Sequence, residues 1–140
     1  MTIKDLVKWV LFPGTNLNAR FRVRTIAKLL GRPKAGAPLE ILDAGCGNGA
    51  LAYQAYLLGN NVLGVSIKDE VERNQRLFNS QRKIPTNKLA FKELNLYNVA
   101  ELGAERFDEI ICTEVMEHIR GDRAVCENYF KILKPGGKLH

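Results

Sequence analysis

The chain has 140 residues, 46% of them hydrophobic and 26% charged, and a formal net charge of +6. This length and composition indicate one globular domain and exclude disordered and fibrous proteins. No segment approaches the run of about 20 apolar residues that a membrane span needs, and the N-terminus lacks the apolar region of a signal peptide. Three widely spaced cysteines, Cys46, Cys112 and Cys126, favour reduced thiols over a disulfide framework. We therefore expect a cytoplasmic protein without a transmembrane segment.

Residues 1–38 are predicted to form an N-terminal helical cap, separate from a core over residues 39–140. Apolar residues repeat at helical spacing over residues 3–11, as in a helix that covers its own domain or rests on a membrane surface. A second, basic helix ends at Gly31, and the Pro- and Gly-rich residues 31–38 are typical of a linker. The basic residues of this stretch favour a solvated helix face over an anionic partner such as nucleic acid or lipid headgroups; they are Arg20, Arg22, Arg24, Lys28, Arg32 and Lys34.

From residue 39 onward, strands alternate with helices. Strands are predicted over residues 39–44, 61–67, 89–94 and 107–113, and helices over residues 50–58, 69–81, near 99–102 and after Asp122. This alternation predicts an α/β fold with a mainly parallel sheet and helices on both faces. The nearly all-apolar first and fourth strands are typical of central positions. Lys92 and Glu93 mark the third strand as an edge. The last helix is predicted to bury one side that carries Val125, Cys126, Tyr129, Phe130 and Leu133.

A glycine-rich turn follows the first strand, in the stretch "ILDAGCGNGAL" over residues 41–51. Ligands of open parallel sheets bind beyond the carboxyl ends of the strands, where the strand order reverses. Glycines allow a ligand to approach the backbone and allow positive φ angles. We also expect the N-terminus of the following helix to offer free N–H groups to an anionic group. The turn is therefore a candidate binding site.

The identity of the ligand depends on Asp43. Gly45, Gly47 and Ala50 fit the spacing of a dinucleotide fingerprint, with Asp69 or Glu70 at a plausible distance for a ribose contact. A carboxylate at Asp43, however, would repel a pyrophosphate, whereas it suits a ligand that carries an ammonium and a sulfonium group. Asp43 therefore favours S-adenosylmethionine over a nicotinamide dinucleotide.

Three stretches resemble landmarks of the class I S-adenosylmethionine-dependent methyltransferases. "ILDAGCGNGALA" resembles their motif I, "FDEIICTEVMEHI" is similar to their fourth-strand motif, and "ILKPGGKL" is similar to the turn that enters their fifth strand. The resemblance implies a Rossmann-like sheet of seven strands, with the cofactor lying across the ends of strands one, two and four.

The resemblance also implies cofactor contacts. Asp43, Gly45 and Gly47 would hold the methionine part. Ser66 stands in "GVS" where the family usually has a ribose-binding carboxylate, and Asp69 or Glu70 would assist it. Asn95, beside Leu96, takes the place of the usual Asp near the adenine. The cofactor-binding residues expected on this basis are Asp43, Gly45, Cys46, Gly47, Ser66, Asn95, Leu96 and Thr113.

Glu114, Glu117 and His118 are the candidate catalytic residues. Their i, i+3, i+4 spacing places them on one face of a helical turn. His118 is a candidate general base, because an imidazole exchanges protons near neutral pH. The E-x-x-E-H spacing is also similar to the metal-binding motif of small-RNA 2′-O-methyltransferases and ubiquinone-pathway O-methyltransferases, so a Mg²⁺ site formed by the three is an alternative.

The predicted function is methyl transfer from S-adenosylmethionine to an oxygen or carbon of a small or lipid-like acceptor. A metal-dependent RNA 2′-O-methyltransferase and a nonproductive cofactor-binding fragment are the alternatives. The sequence ends where the family's fifth strand begins, so we expect a sheet truncated at that point. The fourth strand would then form an open edge that promotes self-association.

Overall fold

A computed structural model describes residues 17–140, with side chains from residue 21 onward. The helix predicted over residues 3–11 lies outside the described residues. No helix within residues 17–140 is long and apolar enough to cross a membrane.

Five parallel strands form one sheet in the order β3-β2-β1-β4-β5. They are Glu40–Ala44 (β1), Asn61–Ser66 (β2), Leu89–Glu93 (β3), Phe107–Ile111 (β4) and Leu133–Leu139 (β5). The chain builds outward from β1 to β3 and then returns to the other side of β1 with β4. The strand order therefore reverses between β1 and β4, which is the position where open parallel sheets bind ligands.

The helices flank this sheet. They are Leu17–Ala27 (α1), Ala50–Leu57 (α2), Lys68–Asn74 (α3) and Asp122–Ile132 (α4), with 3₁₀ segments at Leu96–Leu102 and Met116–His118. The predicted helix over residues 69–81 is only partly α-helical, because α3 passes into a π-helical segment at Gln75–Gln81. Hydrophobic spacing does not distinguish α from π turns, so this change could not be predicted.

Alternate residues of the strands face two separate hydrophobic clusters. Ile41, Val62 and Phe91 belong to a cluster with α2, α3 and the inner side of α1. Leu42 and Val65 belong to a second cluster with α4. This alternation follows from the two-residue period of a strand. It confirms the prediction of a parallel sheet that is covered on both faces and has β1 at its centre.

Two expectations at the C-terminal end are wrong. A fifth strand is present and pairs with β4 through Phe107–Leu133 and Ile110–Leu139, so β4 is not an open edge. The strand was missed because Pro135, Gly136 and Gly137 are read as a turn. They lie between the pairs Phe107–Leu133 and Glu109–Lys138, where the register of the two strands shifts.

The buried side of α4 also differs from the prediction. Val125, Tyr129 and Ile132 are buried, whereas Cys126 is exposed and Phe130 is 82% exposed. The 3.6-residue period places Cys126 and Phe130 one position away from the buried stripe. Among the described residues, no cysteine forms a disulfide.

Candidate functional site

A cavity of about 530 Å³ opens at the carboxyl ends of β1, β2 and β4. This volume lies in the range of small-molecule binding sites. Its wall consists of the turn after β1, the end of β2, the segment after β4 and one side of α1. The predicted residues that line it are Asp43, Gly45, Cys46, Gly47, Ser66, Thr113, Glu114 and His118.

The glycine turn is held against β2 by its own backbone. The N–H groups of Gly45 and Cys46 both donate to the Val65 carbonyl, at 2.9 and 3.0 Å. Gly45 has a φ of +78°, and a Cβ there would overlap the side chain of Val115. Gly47 has a φ of +51°, and the space beside its Cα is open. The turn therefore leaves a bare stretch of backbone on the cavity wall, which a ligand can approach closely.

Asn74 of α3 supports the turn from below. Its side chain is fully buried, and its Nδ2 donates to the Gly47 carbonyl at 2.8 Å. The oxygen of the same amide has no hydrogen-bond partner among the described residues. The sequence pattern did not indicate this contact, because Asn74 lies 27 residues after Gly47 and within a predicted helix.

Asp43 lies at the base of the cavity and is only 2% exposed. Its Oδ2 accepts a hydrogen bond from the Ala52 N–H at 2.9 Å. Burial raises the pKa of this carboxyl from 3.8 to about 7, and the Ala52 hydrogen bond opposes the rise only in part. A cation bound beside Asp43 would favour its ionised form.

Two backbone donors in the first turn of α2 are already bonded within the protein. The Ala52 N–H is bonded to Asp43, and the Ala50 N–H donates to Asn48 Oδ1 at 3.1 Å. The protein's own side chains therefore use these donors. Asp43 and Glu70 bring carboxylate oxygens to the cavity wall, and such oxygens favour a cationic over an anionic group.

At the end of β2, Ser66 and Glu70 act as a pair. Ser66 Oγ donates to Glu70 Oε2, and both residues line the cavity. Asp69, the neighbouring candidate, is exposed and does not line it. Glu70 thus brings a carboxylate to the end of β2 from the first turn of α3, four residues after Ser66.

Asn95 and Leu96 do not line the cavity. Asn95 Oδ1 instead accepts from the Tyr97 N–H at 3.0 Å and caps the 3₁₀ segment that begins at Leu96. Leu96 packs against the hydrophobic cluster that contains α4. The adenine contacts expected from these two residues stay a prediction.

The three candidate catalytic residues diverge. Glu114 has a left-handed backbone with a φ of +54° and forms an ion pair with Arg22 of α1. Glu117 is exposed and does not line the cavity, whereas His118 stands at its rim. They do not share one helical face, because the only helical turn nearby is the short 3₁₀ segment Met116–His118, which begins after Glu114. Within the described part of the chain, no group of three His, Cys, Asp or Glu residues is arranged to hold a metal ion.

A helical lid or cap was predicted over residues 1–38, but no pattern in the sequence indicated that Arg22 and Val23 of α1 would be the residues that line the cavity. Arg22 was grouped with the basic residues of a solvated face, and its partner Glu114 lies 92 positions away. The only available signal was the run of cations in a helix that precedes an acidic site. That signal does not identify which cation turns inward.

Cys46 is a packing residue of the turn. It is 7% exposed, and burial raises the pKa of its thiol, with Asp43 and Glu70 adding to the effect. The thiol therefore stays protonated at neutral pH and is a poor nucleophile.

Comparison with known proteins identifies the family. A family model described as a methyltransferase domain matches residues 42–140. The mitochondrial ubiquinone biosynthesis O-methyltransferase of Homo sapiens is 31% identical over 109 residues, which cover 78% of this chain and 29% of that protein. The chain thus spans less than a third of the length of this relative.

Two solved structures share the fold. The YcgJ protein of Bacillus subtilis aligns with a TM-score of 0.75 and 20% identity, over 86% of this chain and 49% of that one. Magnesium protoporphyrin IX methyltransferase from Synechocystis PCC 6803, with bound SAH, aligns with a TM-score of 0.68 and 22% identity, over 94% of this chain and 64% of that one. Because the family model covers the sheet and the cavity-lining segments from Leu42 onward, the chain belongs to the methyltransferase-domain family.

Proposed function

We propose that this chain is the S-adenosylmethionine-binding part of a methyltransferase that acts on an oxygen or carbon of a small or lipid-like acceptor. The observation that carries the proposal is the carboxylate-lined cavity around the bare glycine turn at the strand-order reversal. The names of the human relative and of the SAH-bound neighbour support this ligand and this chemistry.

The lining residues fit this cofactor in volume and in charge. The cavity has room for a ligand of nucleoside size, and the open side of Gly47 admits it against the backbone. Asp43 and Glu70 present carboxylate oxygens to a ligand whose amino acid end carries an ammonium group and whose sulfur is cationic. When bound, the cofactor supplies an electrophilic methyl group on that sulfonium.

Different lining residues would hold different parts of the cofactor. The turn at Gly45 and Gly47, with Asp43 beneath it, would hold the amino acid end. Glu70, oriented by Ser66, would accept hydrogen bonds from the ribose hydroxyls, the role that the family usually assigns to a residue at the strand end.

His118 is the proposed general base for the acceptor. It stands at the rim of the cavity, where an acceptor hydroxyl would approach. Glu114 is already paired with Arg22, and Glu117 lies outside the lining, so neither is placed to take the proton. The same divergence gives no support to a Mg²⁺ site. We also propose that α1 caps the cavity, since Arg22 and Val23 line it.

The test compares two neighbouring acidic residues. Glu70→Ala removes the proposed ribose contact, and Asp69→Ala removes an exposed carboxylate from the same helical turn. Calorimetric titration with S-adenosylhomocysteine is expected to show at least tenfold weaker binding for Glu70→Ala, because about 1.5–3 kcal/mol is typical of hydrogen bonds to a charged group. Asp69→Ala should bind like the unmodified protein. Equal loss in both variants, or in neither, would contradict the placement of the ribose.

The acceptor is tested by transfer of a labelled methyl group from S-adenosylmethionine. A catechol that bears a short isoprenoid chain is the probe, with a short RNA duplex as the alternative acceptor. We expect label on the catechol, without a requirement for magnesium, and loss of the label in His118→Ala. Methylation of the RNA alone, dependent on magnesium, would overturn the proposed acceptor class.

A further inference from the structure

The positive charge of this protein is concentrated in one short segment. Residues 17–39 contain six Lys and Arg residues and no Asp or Glu, whereas residues 40–140 contain 13 basic and 14 acidic residues. The net charge of +6 for the whole chain is therefore matched by this segment alone. Such an asymmetry concentrates the attraction for an anionic surface in this segment, so the exposure of its side chains decides whether it can bind one.

The structure divides α1 and the turn after it into two sides. The inner side packs on the core through Val23, Ile26 and the buried Leu30. The outer side combines basic and apolar side chains in the open. We call it the basic face, and it comprises Phe21, Arg24, Lys28, Leu29 and Arg32.

The apolar members of the basic face are unusually exposed. Phe21 is 63% exposed and Leu29 is 59% exposed. Arg24 and Lys28 lie three and seven positions after Phe21, so they stand on the same side of the helix. None of Arg24, Lys28 and Arg32 forms a salt bridge with another described residue, whereas Arg22 on the inner side is paired with Glu114.

We propose that the basic face docks this protein on a membrane surface that contains anionic lipids. Cationic side chains around exposed aromatic and aliphatic ones are the composition of helices that lie in the lipid interface. The cations are attracted by anionic headgroups, and Phe21 and Leu29 enter the boundary between headgroups and acyl chains. A nucleic-acid surface offers the same charge but no apolar layer for Leu29, so the lipid surface fits the basic face better.

The docking orientation has a consequence for the cavity. Arg22 and Val23 line the cavity from one side of α1, while the basic face lies on the other. A lipid surface in contact with α1 would therefore lie next to the structural element that borders the cavity. This inference rests on charge and exposure alone and does not depend on the proposed methyl transfer.

The test is co-sedimentation of the full chain with vesicles. Vesicles of phosphatidylcholine alone are compared with vesicles that contain about 30% phosphatidylglycerol, an anionic lipid. We expect binding only to the anionic vesicles, and we expect it to weaken when NaCl is raised from about 0.05 to about 0.3 M.

Two double variants separate the charged from the apolar members. Arg24→Glu with Lys28→Glu should weaken binding at least about thirtyfold, since each basic residue near an anionic surface contributes about 1 kcal/mol. Phe21→Ser with Leu29→Ser should weaken binding without changing its dependence on salt. The matched control is Lys83→Glu with Lys92→Glu, which makes the same change in charge at two exposed lysines outside the basic face. This control should weaken vesicle binding much less.

Circular dichroism and titration with S-adenosylhomocysteine show whether each variant keeps its fold and its cavity. Failure of this titration with intact vesicle binding would count against the proposed function and not against the basic face. Equal binding of the charge-reversed variant and its control would overturn the docking proposal. So would binding to an RNA duplex in preference to anionic vesicles, which would assign the basic face to nucleic acid.

Discussion

Replacing Asp43 by Asn is expected to make the protein more stable and its binding of a cationic ligand weaker. Asn retains an oxygen that can accept the Ala52 hydrogen bond but cannot ionise. In the unmodified protein, the buried carboxyl must either take up a proton or remain charged away from water, and its pKa of about 7 expresses that cost.

The magnitude follows from the pKa of Asp43 in the two states. It is about 7 in the fold and 3.8 as the usual value, so between these limits the folded state binds more protons than the unfolded chain. Stability must therefore fall as the pH rises through this window. At about 1.4 kcal/mol per pKa unit, the cost reaches about 4 kcal/mol above pH 7 and vanishes below pH 3.8.

The assay is urea unfolding of both proteins at pH 5, 6, 7 and 8. The advantage of Asp43→Asn in free energy of unfolding is expected to grow by about 2 kcal/mol between pH 5 and pH 7, and to level off above that. In the same window, affinity for S-adenosylmethionine should increase with pH in the unmodified protein and stay constant in the variant. A stability difference that does not change with pH would mean that Asp43 is already ionised at pH 5 and that burial does not raise its pKa.

Other side chains allow similar tests. Gly47→Val should lower the free energy of unfolding by about 1–2 kcal/mol, because it places a side chain at positive φ, and should abolish S-adenosylhomocysteine binding. Gly36→Val, at a φ of +78° in an exposed turn, should lower the free energy of unfolding by a similar amount and leave calorimetric binding intact. Glu109→Gln weakens a buried carboxylate that accepts from the Gly31 N–H at 3.0 Å, so the free energy of unfolding in urea should fall by about 1–3 kcal/mol; an unchanged midpoint would contradict this. Glu114→Gln breaks an ion pair whose carboxylate is largely exposed, and thermal unfolding should show a change in the free energy of unfolding below about 1 kcal/mol. A larger loss would mean that the pair anchors α1.

The fold was predictable where hydrophobic spacing determines it. The apolar runs of β1 and β4 predicted central strands, and Lys92 and Glu93 predicted an edge, because parallel strands buried on both faces leave no place for charged residues. The fifth strand was not predictable in the same way. Pro135 and the glycines after it are typical of a turn, and only the pairing with β4 shows that they lie within a strand, at a shift of its register.

Site residues that are neighbours in the sequence were predictable, whereas contacts between distant segments of the chain were not. Asp43 and the glycines after it lie in one short stretch, so their arrangement follows from the local turn. Glu114 and His118 were predicted from helical spacing, but that spacing assumed a helix that does not form. The inward position of Arg22 and the support from Asn74 depend on contacts between distant elements, and no local pattern encodes them.

The cavity around Asp43 is tested most directly by calorimetric titration of the full chain and of Asp43→Ala with S-adenosylmethionine, with NADH as the comparison ligand. We expect saturable binding of S-adenosylmethionine, strongly weakened binding in Asp43→Ala, and no binding of NADH. Binding of NADH by the folded chain, or binding of S-adenosylmethionine that is the same with and without Asp43, would contradict this expectation.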